Sequence, residues 1–402
     1  MINVGQITIP FHRACIGEEE IQEVISTLRS GWLTTGPRTK QFESDFASYV
    51  GAKHAIALNS ATAALHLALE AIGLQRGDSV LVPTMTFAAT AEVVRYFDAK
   101  PILVDCCVHD FNLDIEHARR VASQAIKRGE KLRALIPVHY GGQAADMVGV
   151  TALAQEFDLK VIEDAAHCLP AAYRHQGGGP WKKVGCESEV CCYSFYANKC
   201  ITTGEGGMAC TNNDTLAERI RIMSLHGISK DAWKRFTAEG SWYYEIVAPG
   251  FKYNLTDIAA ALGLQQLKKA DRFRAERERV ARQYRDRLGR IPEVIVPEDP
   301  IDRIHSWHLF VIRLRLEHLA IDRAEVIKLL KVAGIGTSVH WMPLHMHPYY
   351  RDAYKLSPTD FPVSFQLFHE IISLPIYPSM RTDEIDTVCQ VLSEIIARHR
   401  RQ

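Results

Sequence analysis

From about Gly17 to Asn213, short apolar runs alternate with helical patterns, and this alternation constrains the fold more than any other feature of the chain. Strand-like runs at Ser79 to Pro83, Pro101 to Asp105, Leu132 to Val138, Lys160 to Asp164 and Val190 to Phe195 are interleaved with helical patterns. Those lie at Thr86 to Asp98, Ile115 to Lys127 and Asp146 to Phe157. Strands with so little polar alternation need cover on both faces, which predicts a mostly parallel sheet between two layers of helices. Upstream, Ile21, Val24, Ile25 and Leu28 carry the i, i+3, i+4, i+7 stripe of an amphipathic helix. Near Pro249-Gly250 the pattern changes to one long helical stretch, Leu255 to Leu288. Prolines at 292, 297 and 300, an alternating run from His308 to Leu316, and helical patterns at Arg323 to Ala333 and Asp383 to Arg398 follow. The expected architecture is α/β: a large domain over 1–254, then the long helix and a smaller C-terminal α+β domain over 255–402.

Within that frame two segments carry chemistry. Lys199 follows the apolar run Val190 to Phe195 and precedes the turn Gly204-Glu205-Gly206-Gly207. A loop fixed between such elements holds an amine away from water, and an amine must lose its proton before it attacks a carbonyl. The run Leu159 to Ile162 ends in Glu163-Asp164. An acid at one strand's carboxyl end and a lysine after a later strand converge on one crevice of an open sheet. The pair suggests pyridoxal phosphate, which takes a lysine Schiff base and an aspartate partner for its ring nitrogen.

Other residues fit the same cofactor, each with a plainer alternative. Ser60-Ala61-Thr62 opens the helix-forming run Ala63 to Leu69, where small residues and free amides suit a phosphate; the same residues make an ordinary helix cap. Ser194 offers a further hydroxyl. Phe87 follows a strand end and reads as a ring-stacking residue or as core. His167 reads as a donor to the ring phenolate oxygen or as a satisfied buried histidine. His345 and His347 tempt a metal assignment, but no carboxylate or cysteine frames them, so no metal site is expected. The aromatics of 226–233 and 241–244 offer polar and stacking groups for a nucleotide.

Composition sets the remaining limits. The 47 basic residues balance 47 acidic ones, so no global charge attracts nucleic acid or an anionic membrane. The arginine-rich stretch 268–290 is interleaved with Asp271, Glu276, Glu278 and Asp286 and reads as a solvated helix face. The start, Met1 to Gln6, lacks the charged-then-apolar pattern of a secretory leader, and no apolar run is long enough to span a bilayer. Ten cysteines without a C-x-x-C pair read as free thiols of a reducing cytoplasm.

Taken together in order, these segments resemble a known family. Ser30 to Pro37, Ser60 to His66, Pro83 to Phe87, Ile136 to Gln143, Glu163 to His167, the lysine segment, Gly250 to Asp257 and Ser373 to Pro375 are similar to motifs of the DegT-type sugar aminotransferases. The resemblance implies an aspartate-aminotransferase-like fold (pyridoxal phosphate fold type I). It also implies transfer of an amino group, with glutamate as donor, to a keto group at C4 of a nucleotide-linked deoxy sugar. On it Lys199 is the Schiff-base lysine and general base, Asp164 the ring-nitrogen partner, and His167 lies near the ring hydroxyl. Phe87 stacks on the ring, and Ala61, Thr62 and Ser194 bind the phosphate. Asn254, with Lys252, reaches the phosphate site of a neighbouring subunit, which makes a homodimer with shared active sites. Two departures stand out. Ala61-Thr62 replaces the frequent Gly-Thr, and Lys252-Tyr253-Asn254 replaces Asn-Tyr-Arg. The latter, like Trp307-His308-Leu309-Phe310, is similar to the aminoarabinose-pathway branch. Relatives that act as dehydratases carry histidine in place of the lysine, which Lys199 argues against; a non-catalytic, regulatory cofactor-binding protein is the other alternative.

Overall fold

A computed structural model describes residues 8–174, 178–185, 187–228 and 244–401. Its strands are β1 (His54–Leu58), β2 (Asp78–Pro83), β3 (Lys100–Val104), β4 (Lys131–Leu135), β5 (Lys160–Asp164), β6 (Ala172–Tyr173) and β7 (Lys182–Lys183). Then come β8 (Val190–Ser194), β9 (Gly207–Thr211), β10 (Val294–Ile295), β11 (Arg303–Ile304), β12 (Phe310–Leu314) and β13 (Ile371–Leu374). The helices are α1 (Glu18–Ser30), α2 (Pro37–Val50), α3 (Ala61–Ala71), α4 (Ala89–Arg95), α5 (Ile115–Lys127), α6 (Met147–Phe157) and α7 (Asp214–Met223). They continue with α8 (Asp257–Lys268), α9 (Ala270–Leu288), α10 (Arg323–Val332), α11 (Pro348–Tyr354), α12 (Pro362–Glu370) and α13 (Thr382–Arg398).

Seven strands form the main sheet, in the order β1-β9-β8-β5-β4-β2-β3. The run from β3 through β2, β4 and β5 to β8 is parallel, and only β9 runs against its two neighbours. Because side chains alternate along a strand, the apolar runs fill two separate cores. Leu81, Val104, Leu135 and Val161 pack with α2, α5, α6 and α8 through Phe42, Phe46, Ala122, Leu153 and Leu264. Val80, Val82, Leu103 and Ile162 pack on the other face with α3, α4 and α7 through Leu65, Leu69, Val93 and Ile220. The predicted covered, mostly parallel sheet is therefore present. Towards the C-terminus, β10, β12 and β13 make an antiparallel sheet. Its core joins Phe310, Ile312, Ile372 and Leu374 to α9, α10 and α13. The short strands β11, β6 and β7 form a third sheet.

Two expectations are corrected. The single helix expected over Leu255 to Leu288 is two helices meeting at Lys269, whose backbone (φ −101°, ψ −3°) bends the chain. Helix α8 buries Leu264 and Leu267 in the main sheet's core, whereas α9 buries Val280, Ala281 and Tyr284 in the C-terminal core. One straight stripe cannot serve both. The joint is pinned by Lys269 Nζ, which pairs with Glu19 at 3.0 Å and Glu20 at 2.7 Å. The helix expected from Thr86 begins only at Ala89, because Thr84 to Ala88 form the loop that enters the site described below. In α1 the buried positions are Glu20 and Thr27, while Ile21 and Leu28 of the apolar stripe are 46% and 51% exposed. Among the described residues no helix is long and apolar enough to cross a membrane.

Candidate active site

At the carboxyl ends of β2, β5 and β8 lies a cavity of about 370 Å³. Its wall combines the start of α3, the loop after β2, the ends of β5 and β8 and, from the C-terminal part, His308, His340 and Trp341. Strand ends of a parallel sheet are where side chains can leave the packed core without disrupting it.

Asp164 is the last residue of β5 and is buried. Its main chain is fixed on both sides: Asp164 N–H donates to Pro137 O at 2.9 Å, and Asp164 O accepts from His139 N–H at 3.1 Å. Burial pushes its carboxyl pKa up, while hydrogen bonds from Thr90 and Ala166 and the charge of Lys199 oppose that shift. Lys199 sits in a tight turn after β8, its N–H donating to Tyr196 O at 2.9 Å. The turn is closed by Thr202 Oγ1 and Thr203 N–H, both donating to Phe195 O at 3.0 Å. Desolvation lowers the Lys199 pKa from 10.5 to about 8, against the pull of Asp164. Such an amine is a nucleophile near neutral pH.

The start of α3 is the second polar wall. Ser60 Oγ caps the helix by accepting from Ala63 N–H at 3.0 Å. The amides of Ala61 and Thr62 have no intrahelical carbonyl to bond, and both residues line the cavity. Gly207 of β9 lies directly beneath: a Cβ there would meet Ser60 C at 2.3 Å and Ala61 N at 2.6 Å. Ser194, at the end of β8, faces the same cavity. Phe87 lines it too and is 59% exposed, an uncovered ring in a cavity wall.

His167 is buried, its ring 4.9 Å from Trp341 in a stacked arrangement and 4.2 Å from His308. Its Nδ1 and both ring nitrogens of His308 lack hydrogen-bond partners among the described residues. Burial, with Lys199 and His340 nearby, holds the His167 pKa well below its ordinary value. A neutral imidazole results, able to donate from one nitrogen.

The structure thus brings Lys199, Asp164, His167, Phe87, Ala61, Thr62 and Ser194 to one cavity. Lys252 and Asn254 are not in its wall. Lys252 Nζ donates to Asn254 Oδ1, and Asn254 Nδ2 donates to Thr35 Oγ1 at 2.7 Å. His345 Nδ1 is paired with Thr84 Oγ1 at 2.8 Å, and His347 Nε2 with Met342 O at 3.2 Å. Of the segments considered for a nucleotide, residues 229–243 lie outside the described residues. Sequence reasoning did not assign His308, His340 and Trp341, which line the cavity, or Thr90, which bonds to Asp164 without lining it. The C-terminal three arrive from more than a hundred residues downstream of Lys199, in segments the sequence singles out without tying them to this cavity.

The donor set fits pyridoxal phosphate. It offers a poised amine, a buried carboxylate, free helix amides beside a hydroxyl, an uncovered aromatic face and an unpartnered imidazole nitrogen.

Comparison with known proteins agrees. The DegT/DnrJ/EryC1/StrS aminotransferase family profile matches residues 14–393. An uncharacterized protein of Methanocaldococcus jannaschii is 44% identical over 392 residues, 98% of each chain. Spore coat polysaccharide biosynthesis protein SpsC of Bacillus subtilis is 42% identical over 389 residues, 96% of this chain and 97% of its own. Among solved structures, Spr1654 of Streptococcus pneumoniae in its PLP form superposes with a TM-score of 0.87 at 29% identity, covering 97% of this chain and 99% of that one. Helicobacter pylori PseC, an aminotransferase involved in the biosynthesis of pseudoaminic acid, gives 0.86 at 26% identity, with 97% and 99% covered.

Proposed function

The chain belongs to the DegT/DnrJ/EryC1/StrS aminotransferase family, and from that premise we propose that it aminates a nucleotide-linked keto sugar. Its fold is the aspartate-aminotransferase-like fold type I, and its cofactor is pyridoxal phosphate. The amino donor is glutamate, the acceptor the C4 keto group of a deoxy sugar, and the product an amino sugar for a surface polysaccharide. SpsC and PseC, related over nearly the whole chain, support a sugar substrate. The observation that carries the assignment is the pairing of a desolvated lysine, pKa about 8, with a buried aspartate at the ends of adjacent strands.

Pyridoxal phosphate supplies a carbonyl that condenses with amines and a ring that accepts the electron pair left when a carbon loses its proton. Lys199 would be the amine that holds that carbonyl carbon. Asp164 would keep the ring nitrogen protonated through an ion pair. The Ala61 and Thr62 amides and the Ser194 hydroxyl would hold the phosphate, at the positive end of α3. Phe87 would cover one ring face, and His167 would donate to the ring hydroxyl. A free Lys199 Nζ, its pKa lowered to about 8, would be neutral often enough to take a proton from a substrate α-carbon and to return one. Dehydratase chemistry is disfavoured by the lysine itself, and a non-catalytic role by the completeness of the set.

The free state of the nine described cysteines supports a reducing, cytoplasmic setting. Lys252 and Asn254, displaced from this chain's cavity and beside Thr35, support a second subunit's site as their target.

Adding glutamate to the purified holoenzyme tests the reading. The visible cofactor band is expected to give way to the amine form with release of 2-oxoglutarate. If no amino acid produces that conversion, the aminotransferase assignment falls. A panel of nucleotide-linked keto sugars then identifies the acceptor.

A further inference from the structure

Asp164 has to remain ionised at a position where burial favours the neutral acid. Its oxygens take two hydrogen bonds from the chain. Thr90 Oγ1 donates to Oδ2 at 2.8 Å, and Ala166 N–H donates to Oδ1 at 3.1 Å. A second hydroxyl stands behind the first, with Thr86 Oγ1 2.8 Å from Thr90 Oγ1. A threonine hydroxyl has one proton. An ionised carboxylate only accepts, so the Thr90 proton is committed to Asp164, and the bond between the threonines must be donated by Thr86. The order Thr86 to Thr90 to Asp164 is therefore fixed. Both threonines are buried, where a hydrogen bond to a charge is stronger than in water and hydroxyls in series polarise one another.

Thr90 does not line the cavity, whereas Thr86 and Asp164 do. Other titratable groups surround the carboxylate, and Lys199 and His139 act on it through charge. Lys199 reaches it from the turn after β8 and His139 from the segment after β4. Cys192 lies alongside on β8, and Glu163 and His167 belong to its own segment. None of these side chains hydrogen-bonds to it among the described residues.

We propose that Thr90, oriented by Thr86, is the positioning residue that keeps Asp164 ionised and fixed for the ring nitrogen of the cofactor. The proposal rests on the assignment of Asp164 made above. Removing the Thr90 hydroxyl leaves a buried acceptor without its donor, so the carboxylate weakens as an anion and the ring nitrogen loses its proton more readily. A ring without that proton withdraws fewer electrons, and the pH midpoint of the visible cofactor band rises.

The test uses holoenzyme reconstituted with cofactor labelled with nitrogen-15 in the ring. In Thr90→Val the ring-nitrogen resonance at neutral pH is expected to move towards the unprotonated value. The midpoint of the visible band should rise by about one pH unit, and conversion by glutamate should slow about tenfold. Thr90→Ser should restore all three readouts. A Thr90→Val protein that binds cofactor with a protonated ring and an unshifted midpoint overturns the relay. Should Thr90→Val not fold, Thr86→Val decides: a rise in the midpoint supports the relay, and none overturns it. Borohydride trapping in each variant keeps the two claims apart. A covalent label elsewhere than Lys199 refutes the site assignment, whereas a label at Lys199 without a spectral shift refutes only the relay.

Discussion

Lys199 shows how burial sets the working pH of one residue. With its pKa lowered to about 8, about one amine in ten is neutral at pH 7, against fewer than about one in a thousand for an unperturbed lysine. Protonation blocks attack, so capture of free pyridoxal phosphate by the apoenzyme should accelerate with rising pH and level off above pH 8. A borohydride-trapped time course at several pH values reads this directly; a rate still climbing at pH 10 would contradict the shift. The convergence of Lys199 and Asp164 on one cavity was legible in the sequence, because Asp164 ends an apolar strand and Lys199 follows another, and strand ends are predictable exits from the core. Thr90 was not legible, since inside a helical pattern a threonine gives no sign that its hydroxyl faces a carboxylate on another strand. His308 and Trp341 reach the cavity only through the tertiary fold.

Among elements, the contact of β9 with the first turn of α3 is the tightest constraint on the candidate phosphate turn. Gly207 has no room for a methyl group against the backbone of Ser60 and Ala61. In Gly207→Ala the α3 start must shift, an overpacking cost of about 1–3 kcal/mol. Cofactor affinity is expected to fall about tenfold or more on that scale, measured by titrating apoenzyme with pyridoxal phosphate. Unaltered affinity would remove this turn from the phosphate site. Element boundaries followed the sequence where one pattern met one core: α5 and β5 lie where expected. They departed from it where a continuous pattern was divided between two cores. Nothing local marks Lys269 as a break, with neither glycine nor proline present; its partners Glu19 and Glu20 lie some 250 residues away.

At the scale of the whole molecule, α1 and the segment after it leave apolar side chains uncovered. Ile21, Leu28, Trp32 and Leu33 are 39–51% exposed, and the following Thr35 holds Asn254. Both features belong to one region, as an interface supplying Asn254 to a second subunit requires. Sedimentation should give a dimer. Mixing inactive Lys199→Ala with Asn254→Ala protein should then regenerate activity, because mixed dimers contain one intact site. A monomer in solution would refute the shared site. The sequence exposed this surface as a stripe without saying which way it pointed, since periodicity gives the width of an apolar face and not its partner.

The distribution of thiols has a practical consequence. Cys191, Cys192 and Cys210 are sealed inside the main sheet, and Cys389 lies in the C-terminal core. Burial raises the pKa of each of them, so a thiol reagent meets little thiolate until the surrounding structure opens. The protein thereby carries a native stopwatch for each core, and the order in which these sulfurs become reactive records which part of the molecule comes apart first.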